Sequence, residues 1–119
     1  MKIGIDIVSI ARIERVYKRH GEHFLSHFLS PSEIDILRAR GLRASSIAGF
    51  WASKEACAKA LGTGISKELS FLDICISYTQ ANAPLMTLTP EKLAHFGITS
   101  FSLSISHDGG FAIAAVICH

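Results

Sequence analysis

Hydrophobic and polar positions alternate from residue 2 to residue 8, with Ile3, Ile5 and Ile7 on one face and Lys2, Gly4, Asp6 and Val8 on the other. A period of two predicts a strand. Ser9 is placed to cap a following helix, its hydroxyl accepting an orphan amide. Ile10, Ile13 and Tyr17 then recur at helical spacing, and Gly21 is a natural stop. The opposite side of this helix carries Arg12, Arg15 and Arg19, with Lys18 beside them. Residues 22–29 predict a short apolar helix. Ser30-Pro31-Ser32-Glu33 opens another, with Ser30 as N-cap, Pro31 in the first turn and Glu33 completing a capping box. It is expected to run to about Arg40 and stop at Gly41. The longest helical pattern covers residues 44–61, with Ile47, Trp51, Ala58 and Leu61 as its apolar ridge. It ends at Gly62-Thr63-Gly64, where two glycines suit unusual backbone angles.

From residue 70 the period changes to two. Leu72, Ile74, Ile76 and Tyr78 alternate, residues 80–84 form a turn, and Leu85–Leu88 is a second short strand. Thr89-Pro90-Glu91 starts a brief helix that ends at Gly97. Phe101, Leu103, Ile105 and His107 share one strand face, and Asp108-Gly109-Gly110 predicts a tight hairpin. Residues 111–118 are nearly all apolar, as a central strand or a subunit contact requires. Helices in the first half and a mostly antiparallel sheet in the second, joined by strand 2–8, make an α+β fold.

A chain of 119 residues predicts one domain, 1–119, large enough to bury roughly two-thirds of its unfolded surface without disulfides or a structural metal. Hydrophobic residues at 49% against 18% charged are rich for so small a chain, which points to burial against further copies. A net charge of +2 excludes a polycation that coats nucleic acid. Cys57, Cys75 and Cys118 lack CxxC spacing and predict reduced core thiols in a cytoplasmic protein. Asp6 interrupts the apolar N-terminal run, which is too short for a signal peptide. No apolar stretch approaches the ~20 residues of a membrane span.

Four features carry possible chemistry. Aspartate is depleted in strands, yet Asp6 lies mid-strand between isoleucines. It is either a solvated carboxylate or a ligand on a rigid element, with Gly4 beside it leaving room for a bound group. Magnesium favours one or two carboxylates plus water and substrate phosphate. Glu55 lies close to the apolar ridge, and its plain reading is an i, i+4 pair with Lys59; Lys54 precedes it. The Gly62–Gly64 turn is either a helix stop or, with Lys54, Lys59, Ser66 and Lys67 nearby, a place for phosphate. His107 has the parity of a core histidine. Ser106 and His107 face opposite sides of a strand and cannot form a nucleophile–base couple.

In order along the chain, Gly4-Ile-Asp6-Ile7, Phe50-Trp-Ala-Ser-Lys54-Glu55-Ala56, Gly62-Thr63-Gly64, Leu69-Ser-Phe71 and Ser104-Ile-Ser-His107 resemble the holo-acyl-carrier-protein synthases, the small 4′-phosphopantetheinyl transferases. The resemblance implies one transferase domain that moves phosphopantetheine from coenzyme A to a serine of apo-acyl carrier protein in fatty acid biosynthesis, releasing adenosine 3′,5′-bisphosphate. It places magnesium on Asp6 and Glu55. Coenzyme A contacts fall on Lys54, Lys59, Gly62, Thr63, Gly64 and His107, with Lys54 facing the leaving phosphate. Carrier docking falls on Arg12, and the basic stripe extends it to Arg15 and Arg19. The serine proton passes either to Glu55 or to a water on the magnesium. The family is typically a homotrimer with sites between subunits, so Asp6 and Glu55 need not meet His107 within one chain. An arginine common in the family is replaced by Phe50, leaving Arg40, Arg43 or a neighbouring subunit to substitute. A non-catalytic trimeric module that binds coenzyme A or a carrier, and a metal-dependent nucleotide hydrolase, are the competing readings.

Overall fold

A computed structural model describes residues 1–119. The order is β1 (Lys2–Ser9), α1 (Ile10–His20), α2 (Glu22–Phe28), α3 (Pro31–Ala39), α4 (Ala44–Leu61), a 3-10 turn (Phe71–Asp73), β2 (Ile74–Tyr78), β3 (Pro84–Leu88), α5 (Pro90–Phe96), β4 (Phe101–Asp108) and β5 (Phe111–Cys118). The expected caps form. The Ser9 hydroxyl accepts from Arg12 N, and Ser30 and Glu33 close their capping box. The α+β class holds, with one refinement: the strands form two antiparallel sheets, β1-β5-β4 and β2-β3.

β5 is the central strand of the larger sheet. Antiparallel register aligns Asp6 with Ala114 and Ile105, and Val8 with Ala112 and His107. These rows share the face that bears α4. Ile5 aligns with Ala115 and Ser104, and Ile7 with Ile113 and Ser106, on the opposite face. That second face is bare: Ile3, Ile5 and Ile7 are 71%, 61% and 58% exposed, and Phe111 and Ile113 are also exposed. The face of β1 richest in isoleucine thus points away from this chain's own core.

α4 packs across one face of the larger sheet, with the β2–β3 pair beside β4, and is buried on most sides. Small residues let its backbone approach the larger sheet closely. A Cβ added at Gly4 would meet the Ala56 carbonyl oxygen at 2.0 Å and Ala60 N at 2.6 Å; one at Gly49 would meet Ile105 at 3.0 Å. Gly4 therefore makes room for helix backbone, not for a ligand as the strand pattern suggested. The N-terminal part of α4 lies over β4 and its C-terminal part over β1. On its other side, Phe24, Phe28, Trp51 and Phe71 form a cluster with centroids 5.0–6.0 Å apart. Trp51 belongs to this cluster, so the apolar surface of α4 is broader than the single expected ridge.

Candidate active site

The close β1–α4 contact brings together residues far apart in sequence. Asp6 stands two residues beyond Gly4 on the same strand face, and Glu55 immediately precedes Ala56. The Asp6 side chain is 14% exposed, and Lys59 Nζ donates to its Oδ1 at 2.8 Å and to the Ile5 carbonyl at 3.2 Å. Lys59 thus pairs with Asp6 rather than forming the local pair with Glu55. Burial raises the proton affinity of the half-buried Glu55, the nearby Asp6 charge raises it further, and Lys59 partly offsets both.

This donor set fits a hard divalent cation. Two carboxylates leave most positions to water and substrate oxygen, as magnesium prefers. No third His, Cys, Asp or Glu completes the closed set that structural zinc requires. An ammonium already occupies a cation position beside Asp6.

Lys54 has a different place from the one expected. Its side chain is fully buried, and its Nζ donates to Glu33 Oε1 at 2.8 Å, Phe28 O at 2.7 Å and Phe71 O at 3.0 Å. Three acceptors exhaust the three N–H donors of an ammonium, so no donor remains for a phosphate. Burial lowers its proton affinity and Glu33 works against that shift. Glu33, predicted only as a cap, proves to be the partner; its Oε2 also accepts from Ile76 N at 2.8 Å.

The Gly62–Gly64 turn also departs from the phosphate reading. Gly62 and Gly64 adopt φ of +80° and +62°. The amide of Gly62 donates to Lys59 O, and those of Thr63 and Gly64 donate to Ala58 O, closing the helix end. The Thr63 hydroxyl donates to Gly64 O. No amide of this turn is free, and a helix C-terminus carries the wrong partial charge for an anion.

His107 is exposed, not a core histidine. It lines a groove of about 230 Å³ with Arg40, Ser45, Ser46, Phe50 and Tyr78. The buried Phe50 stacks on Tyr78, whose ring carries the Arg40 guanidinium at 3.7 Å; Arg40 also donates to the Asn82 side chain. Sequence reasoning had Arg40 only as one possible substitute at Phe50. The groove lies on the β4 side of α4, whereas Asp6, Glu55 and Lys59 lie on the β1 side. One chain therefore holds these two groups of residues on separate flanks of α4. Ser106 faces away from His107, as strand parity required.

Arg12, Arg15 and Arg19 line one shallow basic surface on α1 with Lys18 and His20. None of the three arginines is paired with a carboxylate.

The family model of the 4′-phosphopantetheinyl transferase superfamily matches residues 2–116. The chain belongs to this superfamily. The holo-[acyl-carrier-protein] synthase of Helicobacter acinonychis is 63% identical over 115 residues, 97% of each chain. The crystal structure of the Helicobacter pylori holo-[acyl-carrier-protein] synthase in complex with coenzyme A superposes with a TM-score of 0.93 at 62% identity, over 98% of this chain and 99% of that one. That of Bacillus anthracis, in complex with CoA (3′,5′-ADP), gives 0.80 at 36% identity over 98% and 94%. The phosphopantetheinyl transferase class and fold expected from the ordered motifs are thus the ones found.

In this transferase two charged side chains are withdrawn from water, Lys54 fully and Glu55 in part. Lys54→Met removes the cation from the buried Glu33 carboxyl, which should cost about 3–5 kcal/mol and lower the urea midpoint. A variant of parental stability that lost only transfer would return Lys54 to the reacting phosphate. For Glu55, a folded-state pKa raised above the unfolded value gives stability that is present at acid pH and lost as pH rises through the folded value. Metal-free Glu55→Gln should therefore melt above the parent near neutral pH, with the difference vanishing below the ordinary glutamate range. A lower melting temperature at neutral pH would contradict it.

Proposed function

We propose that the protein transfers 4′-phosphopantetheine from coenzyme A to a serine of apo-acyl carrier protein, with magnesium held by Asp6 and Glu55. The observation that carries this reading is the convergence of Asp6, Glu55 and Lys59 at the β1–α4 contact, in a chain similar to synthases solved with coenzyme A. The serine Oγ forms a bond to the pantetheine-bearing phosphorus as the bond to the adenosine 5′-phosphate oxygen breaks. Adenosine 3′,5′-bisphosphate leaves with that electron pair. When bound, magnesium supplies positive charge to the pyrophosphate oxygens. Glu55, or a water beside its carboxylate, is placed to take the serine proton as a general base. Lys59 can turn its exposed ammonium to the phosphates. The Arg40–His107 groove, with Ser45 and Ser46, suits the nucleotide end of the cofactor. Arg40 there offers the guanidinium that Phe50 cannot.

The two half-sites on opposite flanks of α4 become one if copies of the chain bring the Asp6 side of one against the His107 side of another. The bare face of Ile3, Ile5, Ile7, Phe111 and Ile113 gives copies a reason to associate, and we take the assembly to be a homotrimer. Arg12, Arg15 and Arg19 then offer an unpaired cationic stripe to an acidic carrier, favouring encounter more than affinity. Residues 1–119 act as one domain, and three free cysteines suit the reducing cytoplasm, where the product would serve fatty acid biosynthesis.

Incubation with magnesium, coenzyme A and apo-carrier should add the phosphopantetheine mass to the carrier. Asp6→Ala and Glu55→Ala should each slow transfer at least ~100-fold, the scale lost with one electrostatic element of a site. Arg12→Glu should raise the carrier KM and spare that for coenzyme A. An unmodified carrier sinks the transferase reading, and coenzyme A cleaved without carrier would favour a hydrolase. Ile5→Glu should convert a trimer to monomers in light scattering and remove activity. A parent that is monomeric and active would sink the shared-site arrangement.

A further inference from the structure

Lys59 holds a position that none of its assigned roles explains. Its ammonium contacts the Asp6 carboxylate at 2.8 Å and the Ile5 carbonyl at 3.2 Å, two hard oxygens of the kind a divalent cation takes. Glu55 lies one helical turn before it on the same side of α4. Lys59 reaches this position on a flexible stem and stays 54% exposed, so the ion pair holds it rather than packing. Two carboxylates crowded into a part-buried site repel each other unless a cation lies near them. One ammonium meets that need in the free protein. An ammonium and a divalent cation cannot share the position, because their repulsion would act at contact distance.

We propose that Lys59 is a resident counter-ion whose ammonium occupies the cation position beside Asp6 until a divalent cation displaces it. This rests on the reading of Asp6 and Glu55 as cation ligands. Displacement moves the Lys59 ammonium outward, free to meet a phosphate of the arriving cofactor. The consequence is linkage: whatever accepts the released ammonium favours the cation, and the cation favours it in return. Lys59 thereby offsets the carboxylate repulsion before a cation binds, weakens cation binding in the absence of cofactor, and couples the two ligands.

The test is Mn²⁺ binding to the cofactor-free protein, followed by electron paramagnetic resonance, for the parent, Lys59→Gln, Lys59→Arg and Asp6→Asn. Lys59→Gln should bind Mn²⁺ roughly 1.5- to 5-fold more tightly than the parent, the range expected for removing a competing exposed ion pair. Lys59→Arg, which keeps the charge, should bind like the parent. Adding coenzyme A should tighten Mn²⁺ binding less in Lys59→Gln than in the parent. Loss of binding in Asp6→Asn with unchanged or weaker binding in Lys59→Gln would overturn displacement and leave the cation site standing. Unchanged binding in Asp6→Asn would overturn both. Tighter binding by Lys59→Arg equal to that of Lys59→Gln, or no binding by any variant at millimolar Mn²⁺, would overturn the proposal as well.

Discussion

The architecture depends on a buried ion pair between Lys54 and Glu33. Both side chains are withdrawn from water, and every polar atom is used. Lys54 donates to Glu33, Phe28 O and Phe71 O, while Glu33 accepts from Lys54, Ser30 N and Ile76 N. No buried side-chain nitrogen or oxygen is left without a partner. The desolvation cost of such a pair roughly offsets its attraction, so its net stabilisation is small. Its effect is selective, because any arrangement that separates the two leaves a buried charge. The end of α2, the cap of α3, the middle of α4, the 3-10 turn and β2 all meet at these two side chains. This packing satisfies them together.

A second constraint acts on the opposite side of α4. Gly4 and the alanines facing it bring helix backbone against strand backbone. This contact, not local sequence, sets the separation of Asp6 from Glu55 and Lys59. Carboxylates carried on a strand and a buried helix lose little freedom when a ligand arrives. The proton affinity of Glu55 rises because the same packing partly excludes water and brings Asp6 near. Close packing and reactive electrostatics therefore have one origin.

Element positions were largely legible along the chain because their signals are local. Alternation, Ser9, the Ser30–Glu33 box and Asp108-Gly109-Gly110 act within a few residues of themselves. The ordered motifs pointed to the family for a related reason: each is a short run of residues legible within a few positions of the chain. The placement of Lys54 was not legible. A lysine beside a glutamate on a helix looks the same whether it meets solvent, a phosphate or a buried carboxylate, and its partners lie 17–26 residues away. The amides of Gly62–Gly64, expected to be open to a phosphate, are taken by the helix carbonyls, in a closure at positive φ that glycine adopts freely.

What the sequence determined by itself is the α+β order of elements, the strand carrying Asp6, the long helix carrying Glu55, the basic stripe of α1 and the transferase family. Only the tertiary structure decided that Gly4 admits a helix, that Lys59 rather than Lys54 stands at Asp6, that Arg40 joins His107, and that the isoleucine face of β1 looks outward. Each of these depends on contacts between segments distant in the chain. Periodicity reports that a strand has two unlike faces; which of them is covered depends on what packs there, and for the isoleucine face no other part of the same chain does.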